Sequence, residues 1–199
     1  MTRQFVVKAR GTPTDAASFR AGVGNGPHVE FLVRILADAL FVAQDHRIDT
    51  AVHLVLERGG AYSRVVTFDG ARIGALGGLH EAALVEAVAT SLDAARNLAK
   101  DALIELENGV CVRTTSFEHF VRTLSEVHPM FLLDPKGADA STLQEVADPV
   151  FVLTDHTPLP RNTARWLRRI GAEPLTLGPT MLLASQCVTL LHGILDARA

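Results

Sequence analysis

Hydrophobic residues recur along the chain at two spacings, which predict alternating strands and helices. In the first half, apolar runs typical of β-strands occupy residues 4–9, 50–57 and 62–68. Apolar residues at helical spacing from Val29 to Leu40 predict an amphipathic helix, and residues 82–99 predict a second one. The first half therefore contains both kinds of element.

The second half alternates more regularly between the two spacings. The pattern predicts strands at 109–115, 130–134, 149–155 and 173–177, and helices at 116–127, 141–147, 160–170 and 181–197. Continuous apolar strands separated by helices are typical of a parallel sheet that is covered on both faces. The sequence thus predicts an α/β fold, a mostly parallel sheet flanked by helices, in a single domain over residues 1–199.

Three of the predicted strands end in corners where backbone groups lie open. The corners are Leu133-Asp134-Pro135, Thr154-Asp155-His156 and Leu177-Gly178-Pro179. Open α/β sheets bind ligands beyond the carboxyl ends of their strands, so backbone groups here are expected to bind a flat heterocycle. Ordinary strand–helix turns are the alternative interpretation. The sequence lacks the G-x-x-x-x-G-K-[ST], G-x-G-x-x-G and G-x-S-x-G motifs, which argues against NTPases, Rossmann dehydrogenases and α/β-hydrolases.

Composition argues against several classes of protein and partner. The 199 residues include 19 basic and 22 acidic side chains, and the net charge of −3 argues against non-specific coating of nucleic acid. No signal peptide and no run of about 18 apolar residues is visible, so we expect a cytoplasmic protein with no membrane partner. Cys111 and Cys187 lack zinc-ligand spacing, which predicts free thiols and no metal site.

Arginines concentrate in two places despite the slightly acidic balance. Arg161, Arg165 and Arg168 share one side of the helix predicted at 160–170, and Arg10 belongs to a basic N-terminal segment. One interpretation is a footprint for RNA phosphates. The other is an ordinary solvated helix face, and the sequence alone leaves both open.

The helix predicted at 181–197 is apolar around most of its circumference. Such a helix has to be buried, either in its own domain or against another subunit. We therefore expect a homodimer that forms through this C-terminal helix. His192, on the same helix, is expected to be a hydrogen-bonded core histidine rather than a ligand.

Motifs in both halves of the chain resemble one known family. The segments VFVLTDH at 150–156 and LTLGPTMLLASQC at 175–187 resemble the C-terminal half of the archaeal tRNA pseudouridine N1-methyltransferases. The segments at 5–19 and 29–57 resemble the N-terminal half of that family. Its members are RNA methyltransferases of the SPOUT class, which use S-adenosylmethionine. The likeness covers essentially the whole chain, and the order and spacing of the motifs agree.

The resemblance implies a SPOUT-like fold in which the C-terminal segment forms a trefoil knot, with a knotted cofactor-binding part over about 110–199. Knots are otherwise nearly absent from proteins. It also implies that backbone groups at the strand ends bind S-adenosylmethionine. The positions that match the family's cofactor residues are Leu133, Thr154, Leu177, Gly178, Pro179, Met181, Leu182 and Cys187.

The sequence departs from the archaeal pattern at positions that concern the substrate. Leu183, Ser185 and Gln186 stand around the place where the family has histidine and aspartate, and His28 and Glu30 replace an arginine and an aspartate, whereas Arg34 matches. The segment 43–45 replaces a Ser-His-Gly motif. These differences resemble the bacterial branch of the family. Cofactor binding is expected to survive them, while the identity of the RNA is not fixed by the resemblance.

Methylation at N1 of pseudouridine releases a proton, so a general base is expected. Glu30 and Asp155 are the available carboxylates, and Arg34 is a candidate contact for a phosphate or a base carbonyl. The alternative for each carboxylate is that it caps a helix or pairs with an arginine, and this alternative is favoured for Asp155. The alternative for Arg34 is a structural ion pair. The predicted activity is methylation of N1 of a pseudouridine in tRNA or another structured RNA. The alternatives are a non-catalytic RNA-binding homologue, a small-molecule methyltransferase of the same fold, and an unrelated flavodoxin-like binding module.

Overall fold

The computed structural model describes residues 2–26, 28–143 and 146–198. The strands of this part are β1 Arg3–Pro13, β2 Thr50–Arg58, β3 Arg64–Asp69, β4 Leu103–Glu105, β5 Cys111–Thr114, β6 Met130–Asp139, β7 Val150–Thr154 and β8 Glu173–Thr176. The α-helices are α1 Ala16–Ala21, α2 Val29–Leu40, α3 Glu81–Ala94, α4 Phe117–Ser125, α5 Arg161–Arg169 and α6 Ala184–Asp196.

All eight strands join one sheet in the order β4-β5-β3-β2-β1-β7-β6-β8. The five strands from β2 to β8 in this order are parallel, whereas β3, β4 and β5 pair antiparallel. The mostly parallel sheet predicted from the sequence is confirmed. The strand predicted at 109–115 is present as β5, but it pairs antiparallel instead of parallel with its neighbours. The short turn after Arg58 returns the chain as an antiparallel neighbour, and β5 then pairs with that neighbour.

Helices cover both faces of the sheet because the strand side chains alternate. On β1, Phe5 and Val7 belong to a core cluster that also contains buried residues of α2, α3 and α6. Val6, between them, belongs to a second cluster with residues of α4 and α5. This two-sided arrangement was predicted from the continuous apolar strands.

Several local predictions differ from the structure: β4 was not predicted, and the helix predicted at 82–99 ends at Ala94. The short helix α1 was not predicted either, and Asp15 caps it by accepting a hydrogen bond from the Ser18 backbone N–H at 2.8 Å. The helix predicted at 141–147 is a 3₁₀ turn at Ala140–Thr142, while Gln144 and Glu145 lie outside the described residues. The final helix begins at Ala184 instead of 181, because 181–183 form an extended approach to it.

The β6–β8 pairing contains an irregular crossing near the strand ends. Leu175 of β8 lies opposite both Leu133 and Ala138, so the intervening residues of β6 bulge out of register. A Cβ at Gly137 would stand 2.5 Å from the Pro174 carbonyl oxygen. Glycine is required here because two backbones pass in direct contact.

The end of α6 is tied to the start of the sheet. The Arg3 guanidinium is buried and pairs with Asp49 and Asp196, both at 2.7 Å. Arg47 pairs with the other oxygen of Asp196. Hydrogen bonds from Arg47 and Arg3 hold the pKa of Asp196 at about 2. This group of charges fixes α6 against β1 and the segment that precedes β2.

Two buried histidines are neutral members of hydrogen-bonded networks. His192 donates from Nε2 to the Ala39 carbonyl at 3.0 Å and accepts at Nδ1 from Arg3, which confirms its predicted core role. His53 bonds Thr67 and Gln4 on the other face of the sheet. Burial lowers the pKa of each imidazole to about 4, and nearby Arg47 and Arg3 add to the effect on His192.

These histidines predict a loss of stability in mild acid. Below a pH of about 6.5 the unfolded chain binds a proton at each imidazole, whereas the folded chain does so only near pH 4. The free energy of unfolding should therefore fall by about 1.4 kcal/mol per pH unit per histidine between these values. Urea unfolding at pH 7.0, 6.0 and 5.0 measures this slope.

His53→Leu tests the assignment of that slope. The variant should be less stable at pH 7, because Gln4 and Thr67 lose a partner. Its free energy of unfolding should change less steeply with pH, because one fewer proton is bound on unfolding. His119→Ala is the matched control, since that histidine is exposed on α4. A His53→Leu slope equal to that of the unmodified protein would contradict the explanation.

Candidate functional site

A cleft of about 500 Å³ opens at the carboxyl edge of β6 and β7. Its walls are the ends of these strands, the loop at 155–159, the segment 181–187, and Phe31 and Ile35 of α2. The lining is mainly apolar, and the volume falls in the range of small-molecule sites, about 300–1,000 Å³. This is the edge at which the sequence predicted a binding site.

Five of the eight predicted cofactor positions border this cleft, and three do not. Leu133, Thr154, Met181, Leu182 and Cys187 line its walls. Leu177, Gly178 and Pro179 form the neighbouring corner after β8, where Thr176 Oγ1 bonds both the backbone N–H and the carbonyl of Gly178. Gly178 has a φ of 107°, which L-residues rarely adopt. The corner thus contains a backbone conformation that favours glycine, but it stands outside the cleft wall.

The start of α6 is fixed beside the cleft by its own capping contacts. The Gln186 side chain accepts a hydrogen bond from the Leu183 backbone N–H at 2.9 Å. Cys187 lies one residue further on, and burial raises the pKa of its thiol. A neutral, half-buried thiol is a poor nucleophile. Cys187 therefore contributes shape and polarisability to the wall.

Asp155 combines a fixed carboxylate oxygen with an unpaired one. Oδ1 accepts a hydrogen bond from the Thr157 backbone N–H at 2.7 Å, so the side chain closes a turn. It does not cap α5, which begins at Arg161 after Pro160. Oδ2 is buried and has no hydrogen-bond partner in the part of the chain that the structure describes. Buried oxygens are normally satisfied, so this unpaired atom of a residue that lines the cleft is a candidate for chemistry.

Glu30 and Arg34 lie on α2 and do not line the cleft. Glu30 is in the first turn, where hydrogen bonds from its own backbone N–H and that of Gly24 lower the pKa of its carboxyl. Arg34 pairs with Glu81 at 3.4 Å, and both side chains are half-exposed. The structure therefore shows the capping and pairing contacts that were the alternatives for these two residues.

The predicted RNA-contacting arginines lie on α5 and β1. Arg161 and Arg165 are exposed on α5, which follows the cleft loop, and Arg10 is exposed two residues beyond Lys8, the partner of Thr154 in β7. Within residues 2–26, 28–143 and 146–198, these three arginines form no ion pair. Arg168 pairs with Asp134, in the middle of β6.

An aromatic group at the cleft was not predicted from the sequence. His28, Phe31 and His156, which we call the aromatic wall, have ring centroids 4.8–5.6 Å apart. Phe31 and His156 line the cleft. The only sequence signal was that His156 directly follows Asp155 and that His28 departs from the family pattern.

The described residues contain neither a metal-binding cluster nor a membrane-spanning helix. Among the described residues, no group of three His, Cys, Asp or Glu side chains is arranged to hold a metal ion. None of the described helices has the length and apolar character needed to cross a membrane.

Comparisons with known proteins agree with the sequence motifs. A family model described as "Putative SAM-dependent RNA methyltransferase" matches residues 2–199. Proteins of Vibrio parahaemolyticus serotype O3:K6 and Alcanivorax borkumensis, both named "Putative pseudouridine methyltransferase", are each 45% identical over 98% of this chain and 98% of their own length.

The fold has a solved counterpart at low sequence identity. The crystal structure of Archaeoglobus fulgidus Nep1 bound to S-adenosylhomocysteine matches with a TM-score of 0.63 and 13% identity, over 99% of this chain and 98% of that one. At this identity the likeness concerns the fold. Together with the full-length family match, it confirms the resemblance found in the motifs, and the chain belongs to this family of S-adenosylmethionine-dependent RNA methyltransferases.

Proposed function

We propose that this protein methylates N1 of a pseudouridine in a structured RNA, specifically a tRNA. The relatives that share 45% identity over nearly the full length are named pseudouridine methyltransferases. The observation that carries the proposal is the cleft at the carboxyl ends of β6 and β7, with the unpaired Oδ2 of Asp155 beside it. The cleft supplies a pocket, and Asp155 beside it supplies a proton acceptor.

The cleft fits the methyl donor in size and chemistry. Its walls are mainly apolar, its volume suits a drug-sized molecule, and the chain at 181–183 lies outside any helix or strand. We propose that the donor is held in the cleft by Leu133, Thr154, Met181, Leu182 and Cys187 and reaches the neighbouring corner of Leu177, Gly178 and Pro179. When bound, S-adenosylmethionine supplies a methyl group activated on a sulfonium. The chain's part is to align the acceptor with it and to exclude water.

Asp155 is proposed to take the N1 proton on Oδ2. The Thr157 N–H holds Oδ1, so the carboxylate is already oriented before RNA binds. Glu30 lies outside the cleft, with one oxygen 3.7 Å from His28 Nδ1, and is proposed to position that histidine. Arg34 is proposed to leave Glu81 and contact an RNA phosphate.

Arg10, Arg161, Arg165 and Arg168 are proposed to bind the RNA backbone beside the cleft. The protein carries a net charge of −3, so RNA requires a local basic surface. Arg161 and Arg165 are exposed and close in sequence to the cleft loop, which supports this role.

A trefoil knot, a homodimer and a cytoplasmic location complete the proposal. The likeness of fold to Nep1 and the backbone contact at Gly137 support a knot over about 110–199. Leu190 of α6 is 45% exposed and borders a shallow apolar hollow with Ile194, which supports a dimer through this helix. Sedimentation of the purified protein measures the oligomeric state.

Calorimetry and methyl transfer test the function. The protein should bind S-adenosylhomocysteine. It should also transfer a labelled methyl group to RNA from cells that lack this gene. Mass spectrometry should show that this RNA lacks one methylated nucleoside that is present in RNA from cells with the gene. RNA binding without transfer would favour a non-catalytic homologue. Transfer that survives Arg161→Glu with Arg165→Glu would favour a small-molecule substrate. No response to S-adenosylhomocysteine at millimolar concentration would refute the proposal.

A further inference from the structure

We propose that the aromatic wall stacks against the RNA base that receives the methyl group, an inference that rests on the function proposed above. The rings of Phe31 and His156 are 5.5 Å apart with planes at 28°, so they already form a stack. Both border the cleft, and His156 is exposed. A planar base therefore finds a ready surface at the mouth of the cleft, as in sites where aromatic side chains bind unstacked nucleotides.

The backbone at His28 is held in an unfavourable conformation. Its φ of 51° and ψ of 47° lie in the left-handed region, which costs about 1 kcal/mol or more for a residue with a side chain. Although His28 is the N-cap of α2, its side chain makes no capping hydrogen bond. The imidazole instead lies against His156, with centroids 4.8 Å apart and planes at 73°. The unfavourable backbone conformation thus places the His28 ring in the aromatic wall, and the side chain does not cap α2.

The order of the strands separates the wall from the proposed cofactor corner. Phe31 belongs to α2, which packs over β1 and β2, and His156 follows β7, the neighbour of β1. Gly178 follows β8, two strands beyond β7, at a distance of about 10 Å given the usual strand spacing. Asp155 lies next to the wall, directly before His156. A base stacked on the wall is therefore beside the proposed proton acceptor, whereas the corner at Gly178 lies nearer β6 and β8.

Two RNA probes that differ only in ring planarity isolate this stacking. The first is a stem-loop with one pseudouridine in its loop, and the second carries 5,6-dihydropseudouridine there, whose saturated ring is not flat. Anisotropy measures both affinities in saturating S-adenosylhomocysteine. The unmodified protein should prefer the pseudouridine probe by about 10-fold, and Phe31→Leu and His156→Ala should each reduce this preference to about 2-fold or less. His119→Ala, an exposed histidine on α4, should keep it.

Calorimetry with S-adenosylhomocysteine distinguishes the base from the adenine of the donor. The proposal requires Phe31→Leu and His156→Ala to reduce the preference for the pseudouridine probe by a larger factor than they reduce this affinity. A tenfold loss of that affinity with an unchanged RNA preference would assign the wall to the donor instead. Unchanged values in both assays would also overturn the inference. Since neither assay needs turnover, a failure here is distinct from absent methyl transfer in the unmodified protein.

Discussion

Asp155→Asn should lower kcat for methyl transfer about 100-fold or more, the usual effect of removing a general base. The asparagine oxygen can still accept the hydrogen bond from Thr157, so the turn and the cleft should persist. Oδ2, the unpaired atom, becomes an amide that cannot take a proton. Single-turnover transfer from labelled S-adenosylmethionine to the pseudouridine stem-loop gives the rate of this step.

Two measurements separate lost chemistry from lost structure. Affinity for S-adenosylhomocysteine should stay within about threefold in Asp155→Asn, because the proposal gives Asp155 no role in holding the donor. Glu105→Gln is the matched control, since that carboxylate lies on β4 at the opposite edge of the sheet and pairs with Arg72. A transfer rate in Asp155→Asn equal to that of Glu105→Gln would assign the proton to another group.

Glu57→Ala should reduce the free energy of unfolding by about 3 kcal/mol. Its partner, Lys8, is 4% exposed, with Nζ 2.6 Å from the Glu57 carboxylate and 4.0 Å from the centre of the Phe117 ring. Removing Glu57 leaves a buried ammonium whose one remaining carboxylate neighbour among the described residues is Glu118, at 3.7 Å and half-exposed. Urea unfolding at pH 7 measures the loss.

The companion variants test whether the buried charge is the cause. Glu118→Gln should cost less than about 1 kcal/mol, because its contact with Lys8 is longer and solvated. The double variant Lys8→Met with Glu57→Leu should recover most of the stability, since it removes both charges and keeps apolar volume. If the double variant is as unstable as Glu57→Ala, packing rather than charge explains the loss.

The parallel part of the fold was predictable because its strands and helices can each be recognised from the hydrophobic spacing of a short segment. The apolar runs at β6, β7 and β8 are bounded by helical spacing, and this alternation favours parallel neighbours wherever it occurs. The antiparallel pairing of β5 was missed because its partner, β3, lies more than 40 residues earlier in the chain. Hydrophobic spacing carries no information about such pairings.

The same limit applies to the candidate site. Leu133, Thr154 and Met181 border the cleft as expected, because ligands of such sheets bind at strand ends. The aromatic wall was missed because it joins residues 28–31 to a loop more than 120 positions later. The free oxygen of Asp155 depends on one turn hydrogen bond, which no spacing rule reveals.

The place of α6 in the chain has a consequence during translation. Its first turn and the preceding segment 181–183 form a wall of the cleft, and Asp196 at its end is held by Arg3 of β1. A nascent chain that still has residues 181–196 inside the ribosomal tunnel lacks both the wall and this tie. The cleft is therefore complete only once α6 has emerged and docked onto β1, which is synthesised earlier.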